Sequence, residues 1–172
     1  MPFLIVFFMS LLSGSLVKLT DDIEDISIDI NRIYAIPGGL AYGTAMGYLM
    51  IIDIDTSVLF GGITLGCLMA GKINCRGHYF GMSAILVVVF LYGIKLSPLV
   101  LIIAALTALD EAKDMIHIPI FIDFVFEYRL ILKFGILIFV IVEIMGPNAL
   151  IALLAFDIAY ILTGKITRRV LA

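Results

Sequence analysis

Thr20-Asp21-Asp22-Ile23-Glu24-Asp25-Ile26-Ser27-Ile28-Asp29 is the most acidic stretch of a chain that is otherwise dominated by apolar residues. Asp22, Asp25 and Asp29 are spaced three and four apart. If the stretch is helical, those spacings put all three carboxylates on one face. Stacked like charges repel, so a cation or a basic partner is needed to offset them. A shorter acidic stretch, Asp110-Glu111-Ala112-Lys113-Asp114, comes much later. The apolar runs on either side of these two stretches decide the fold.

The 172 residues are 63% hydrophobic, with a mean hydropathy of +1.19. A soluble domain is about 45–50% apolar. The excess predicts an all-α fold, a polytopic transmembrane helical bundle, with residues 1–172 forming a single integral membrane domain. Charged residues make up 15% of the chain and cluster between apolar runs, so the net charge of −3 does not identify a partner. There is no basic, aromatic-interleaved patch, which argues against nucleic acid. Cys67 and Cys75 match neither a zinc nor a CxxC spacing and read as inert, reduced thiols. The run from Pro2 to Val17 has no basic segment before it, and Lys18 and then acids follow. It reads as a membrane helix rather than a cleaved signal peptide.

A membrane helix needs about 20 apolar residues. The apolar runs predict seven helices, at residues 2–19, Ile33–Ile52, Ser57–Gly71, Tyr79–Ile94, Leu99–Leu109, Leu130–Ile144 and Ala149–Thr163. Pro37 falls in the first turns of the second helix, where proline is tolerated. Gly43 and Gly47 form a GxxxG pattern that allows close approach of another helix. Residues Met115–Arg129 carry His117, Pro119, Asp123 and Glu127, which a lipid-facing helix bears poorly, so an interfacial or re-entrant segment is expected.

With the N-terminus outside, one surface receives Lys18, Arg32, Lys72, Arg76, Lys113, Arg129, Lys133, Lys165, Arg168 and Arg169. The other receives only Lys95. The excess of Lys and Arg on cytoplasmic loops then places the C-terminus and both acidic stretches on the cytoplasmic side of the cell membrane. Asp21–Ile26 also aligns with Asp110–Met115, each after a helix that runs inward. Three helices, a linker helix and three more would give parallel halves, as in some transporters.

Mg²⁺ is commonly held by one or two carboxylates together with substrate phosphates and water. Two aspartate clusters at one lipid–water surface therefore suit a diphosphate head group whose apolar tail lies between helices. The metal would neutralise the diphosphate and stabilise its departure. Arg32, Lys72, Arg76 and Lys113 are the candidate phosphate-binding residues. The residues by themselves equally allow a solvated acidic loop. His78 and His117 read as surface histidines. Asp157 falls inside an apolar run, where a carboxylate is costly and is by default functional or paired.

Asp22-x-x-Asp25-x-x-x-Asp29, followed by Arg32 and Pro37-x-Gly39, resembles the first aspartate motif of the UbiA superfamily of intramembrane prenyltransferases. Asp110 and Asp114 resemble the Asp-x-x-x-Asp of that family's second motif. Asp21 stands where the first motif has Asn, and the family has nine helices rather than seven. The resemblance implies Asp22, Asp25, Asp29, Asp110 and Asp114 as Mg²⁺ ligands, direct or through water. It also implies an isoprenoid diphosphate substrate and prenyl transfer to a lipophilic acceptor. Two other readings stand beside it: a small cation or solute transporter that uses Asp157, and a non-catalytic membrane subunit. A homo-oligomer is compatible with each.

Overall fold

The computed structural model describes residues 3–25, 31–111, 125–126 and 128–170. Asp29, Lys113, Asp114, His117, Pro119, Asp123 and Glu127 lie outside the described residues, as does most of the expected interfacial segment. Among the described residues there are seven α-helices and no strand. They are α1 (Phe3–Asp25), α2 (Ala35–Ile52), α3 (Ile54–Met69), α4 (Arg76–Tyr92), α5 (Leu99–Glu111), α6 (Leu130–Ile141) and α7 (Pro147–Val170). A 3₁₀ turn, Arg32–Tyr34, leads into α2.

The first helix does not stop at Lys18. It continues through the acidic residues to Asp25, so these form its last two turns. Lys18 makes this possible by pairing with Asp22 one turn on, at 2.8 Å. An i,i+4 pair of opposite charges supports a helix where like charges alone would oppose it. Between α2 and α3 a single residue, Asp53, reverses the chain. Its carboxylate caps α3 by accepting from the Thr56 N–H at 3.1 Å. Gly93, with φ of 73°, ends α4 in a backbone conformation that other residues rarely adopt.

The helices alternate in direction. Contacts between α1 and α7 run in register, with Gly14 near Phe156, Asp21 near Tyr160 and Asp22 near Thr167, so these two are parallel. Helices α2 and α4 are parallel as well, with Gly39 against Gly77 and Gly43 against Gly81. A Cβ at Gly39 or Gly43 would overlap the carbonyl oxygen of Gly77 or Gly81, so the two backbones touch. Helices α3 and α5 pack in parallel through Gly62 and Gly66 against Ile103 and Thr107.

Phe60, Leu49, Leu59, Ile103, Leu132, Ile136 and Leu153 form the fully buried centre. The outer faces are also apolar. Phe90 is 88% exposed, Tyr92 72% and Ile141 69%. Contiguous apolar surface on this scale needs an apolar surrounding. Three helical segments, Phe3–Asp25, Arg32–Ile52 and Pro147–Arg169, are long and apolar enough to cross a membrane. The others are shorter. With 13 and 12 residues, α5 and α6 reach only about 20 and 18 Å at 1.5 Å per residue, against a hydrocarbon core of about 30 Å.

Candidate functional site

One end of the bundle gathers the C-terminus of α1, the loop between α3 and α4, the end of α5 and the start of α6. A cavity of about 330 Å³ opens there. Its charged lining is Lys18, Asp21, Glu24 and Asp25 from α1, Lys72 from the loop, Glu111 from α5, and Arg129. Tyr42, Met46, Ile63, Met82, Ile85 and Phe156 line it as well. Met46 and Ile85 lie nine or more residues into helices that start at this end, so the apolar wall reaches about 15 Å into the bundle. The cavity is therefore charged at its mouth and apolar in its depth. The charged residues are three cations and four carboxylates, leaving one negative charge in excess when His78 is neutral.

The charges are paired across helices. Glu111 lies 2.8 Å from Arg129 Nη2 and 3.5 Å from Lys72 Nζ. Asp157 sits 2.8 Å from Lys133 Nζ and 3.9 Å from Arg129 Nη1. Burial works against the charge of Arg129, but the carboxylates of Glu111 and Asp157 more than offset it and hold its pKa above the ordinary guanidinium value. The Tyr160 ring lies between Lys18 and Arg129, with the two charges 5.2 and 5.3 Å from its centroid. Its hydroxyl donates to Asp21 Oδ2 at 2.7 Å. The other oxygen of Asp21 is 2.7 Å from His78 Nε2.

The two acidic stretches do reach one site, through Asp21, Glu24 and Asp25 on one side and Glu111 on the other. The individual aspartates are placed differently from the expected ligand set. Asp25 lines the cavity. Asp22 is buried towards α7, where it takes the Lys18 ammonium and the Thr167 hydroxyl. Asp110 is buried and accepts from the backbone N–H groups of Ile131 (3.2 Å) and Leu132 (2.7 Å), so it caps the start of α6. Asp29 and Asp114 lie outside the described residues. Among the described residues no three His, Cys, Asp or Glu side chains are arranged to hold a metal ion. Of the candidate phosphate ligands, Lys72 lines the cavity, whereas Arg32 and Arg76 are exposed and outside its lining.

Several lining residues were not singled out from the sequence. Asp21 lines the cavity together with Glu24 and Asp25, and its spacing of four from Asp25 was as visible as that between Asp22 and Asp25. His78, read as a surface histidine, is half-buried and held by Asp21. Its ring Nδ1 is 3.3 Å from Cys75 Sγ, and both side chains line the cavity. The available signal was Cys-x-x-His at the start of a helix. Burial pushes the Cys75 thiol above its ordinary pKa, while the N–H groups of His78 and Gly77 pull the other way. Tyr160, on the last-but-one turns of an apolar run, carried no signal at all.

Set against known protein families, curated proteins and solved structures, the chain matches none.

Proposed function

We propose that this chain is a multi-pass protein of the cell membrane whose cavity binds an isoprenoid diphosphate with Mg²⁺ and supports UbiA-like prenyl transfer to a lipophilic acceptor. The observation that carries the reading is the polarity of the cavity. An amphiphile with an anionic head and a long apolar tail matches a charged mouth over an apolar wall. Lys72 and Arg129, gathered on Glu111, stand where phosphate oxygens would compete for them. The net negative lining would repel a bare diphosphate, so the head group needs an accompanying cation. Asp25, a carboxylate of the lining, would hold Mg²⁺ together with the substrate's phosphates and water rather than as part of a protein cage. A bound Mg²⁺ would supply charge neutralisation for the diphosphate as it leaves. Phe156, Met46 and Ile63 exclude water from the tail, and Lys72 and Arg129 orient the head.

The membrane reading has seven crossings, with the N-terminus outside and the cavity mouth on the cytoplasmic side. Alternating helix directions and the Lys/Arg asymmetry support it. The packing of α1–α2–α3 and of α5–α6–α7 in succession is compatible with two parallel halves. The transporter reading asks for a carboxylate free to take a cation. Asp157 is instead held between Lys133 and Arg129, and this favours the cavity as the site.

Thermal unfolding of the purified protein in detergent tests the reading. Geranylgeranyl diphosphate and Mg²⁺ are added separately and together. A ligand at 100 times its Kd stabilises by about 2.7 kcal/mol when it binds only the folded state. The expected result is a shift that needs both components and is reduced in Asp25→Asn. A folded protein with no shift would overturn the proposal.

A further inference from the structure

Cys75, His78 and Asp21 hold an arrangement that diphosphate binding does not use. Cys75 is the N-cap residue of α4 and His78 is the third residue of that helix. The sulfur is 3.3 Å from His78 Nδ1, and His78 Nε2 is 2.7 Å from Asp21 Oδ1. Asp21 comes from a different helix, and the Tyr160 hydroxyl fixes its second oxygen at 2.7 Å. With its proton on Nε2, His78 would face the otherwise unpartnered Oδ1 of Asp21 and turn the Nδ1 lone pair towards the thiol. These are the three roles of a nucleophile, a base, and a carboxylate that sets the tautomer of the base. All three side chains line the same cavity, at its charged end, beside Lys72 and Asn74.

We propose that Cys75, His78 and Asp21 form a nucleophilic triad that cleaves a long-chain acyl ester or thioester whose chain lies along the apolar wall. The cavity lining favours this electrophile. A neutral carbonyl meets no repulsion from a lining with an excess negative charge, whereas a diphosphate needs its accompanying cation there. In the first step Sγ bonds to the carbonyl carbon, and the thiol proton passes to His78 Nδ1. The carbonyl electron pair moves to oxygen. Collapse of this adduct breaks the bond to the leaving alcohol or thiol, which takes the proton from His78. The product is a Cys75 thioester. Water, losing its proton to His78, then attacks the thioester. The carboxylic acid leaves, and the proton returns to sulfur. Asp21 stabilises the imidazolium that forms in each half. No metal takes part, so the proposal shares only the cavity with the diphosphate reading.

The test uses the full chain in detergent with p-nitrophenyl myristate, read by nitrophenolate release and by mass mapping of the acylated peptide. An acyl adduct is expected on Cys75 in the wild type and in Cys67→Ala, with or without EDTA. Cys75→Ser keeps an oxygen at the helix cap, so its melting temperature is expected to hold or rise while the adduct disappears. His78→Asn is expected to slow acylation about 100-fold or more, the usual range for loss of a general base. A role for Cys75 and His78 in capping alone would move the melting temperature and leave the acylation rate unchanged. Equal acylation of Cys67 and Cys75, ester cleavage that survives in Cys75→Ser, or a folded wild type with no adduct would overturn the proposal.

Discussion

Asp110 and Asp157 are both buried carboxylates with partners in the chain itself, backbone N–H groups for one and cations for the other, and these set the cost of replacing them. Asp110 accepts two backbone N–H groups at the start of α6, as a helix cap does. Asp110→Ala is expected to cost about 1–2 kcal/mol of stability, the range for loss of a cap. Asp110→Asn keeps an acceptor and is expected to cost less. Unfolding curves in detergent, unchanged by EDTA, check both. Asp157 pairs most closely with Lys133. Removing one partner of a buried ion pair costs about 3–5 kcal/mol, because the other charge is left uncompensated. Arg129 stays 3.9 Å from Asp157 when Lys133 is removed, so Lys133→Met is expected to destabilise by less than that amount, and adding Asp157→Asn in the same chain to restore part of it. Additive effects of the two substitutions would contradict the pairing. The sequence marked Asp157 as functional or paired by its apolar surroundings, and the structure supplies the partners. It gave no sign that Asp110 is a cap, because the N–H groups it meets lie more than twenty residues further on.

At the scale of the helices, the contacts that position the cavity are made by backbone against backbone. Helices α2 and α4 meet at Gly39, Gly43, Gly77 and Gly81, and this brings Tyr42 from one and His78 from the other to the same wall. Gly43→Ala forces the helices apart and is expected to destabilise by about 1–3 kcal/mol. Gly61 serves as the contrast. A Cβ there meets its nearest atom, Val100 Cγ2, at 3.4 Å, which is ordinary contact. Gly61→Ala is expected to be neutral or to stabilise by up to about 1 kcal/mol through helix propensity. Equal loss in the two variants would show that glycine packing between α2 and α4 is not what holds them. The small-residue pattern on α2 was legible in the sequence, but its partner was not. A GxxxG pattern announces a close neighbour without saying which helix supplies it. The end of α1 was misplaced for a related reason. Seven acidic and hydroxyl residues between Thr20 and Asp29 read as a break in the apolar pattern, whereas the Lys18–Asp22 pair carries the helix on to Asp25.

For the whole molecule, the apolar runs and the distribution of Lys and Arg were enough to anticipate a helical bundle with both acidic stretches at one end. They could not show which carboxylates face inward, since that depends on helix rotation and on side-chain partners from α6 and α7. The proposed membrane orientation makes its own prediction. A cysteine placed at Lys95 in a chain lacking Cys67 and Cys75 is expected to react with an impermeant maleimide from outside intact cells, and one placed at Arg32 only after permeabilisation. Reversed labelling would turn the cavity mouth to the outer surface. The proposed function places an isoprenoid diphosphate in the cavity with its tail along the apolar wall. The most direct measurement is photo-crosslinking with a prenyl diphosphate that carries a diazirine in its tail, in the presence of Mg²⁺, followed by peptide mapping. Adducts on Met46, Ile63 or Ile85, competed away by unlabelled diphosphate, are predicted. Adducts confined to the outer residues Phe90 and Leu91, with no competition, would contradict the account.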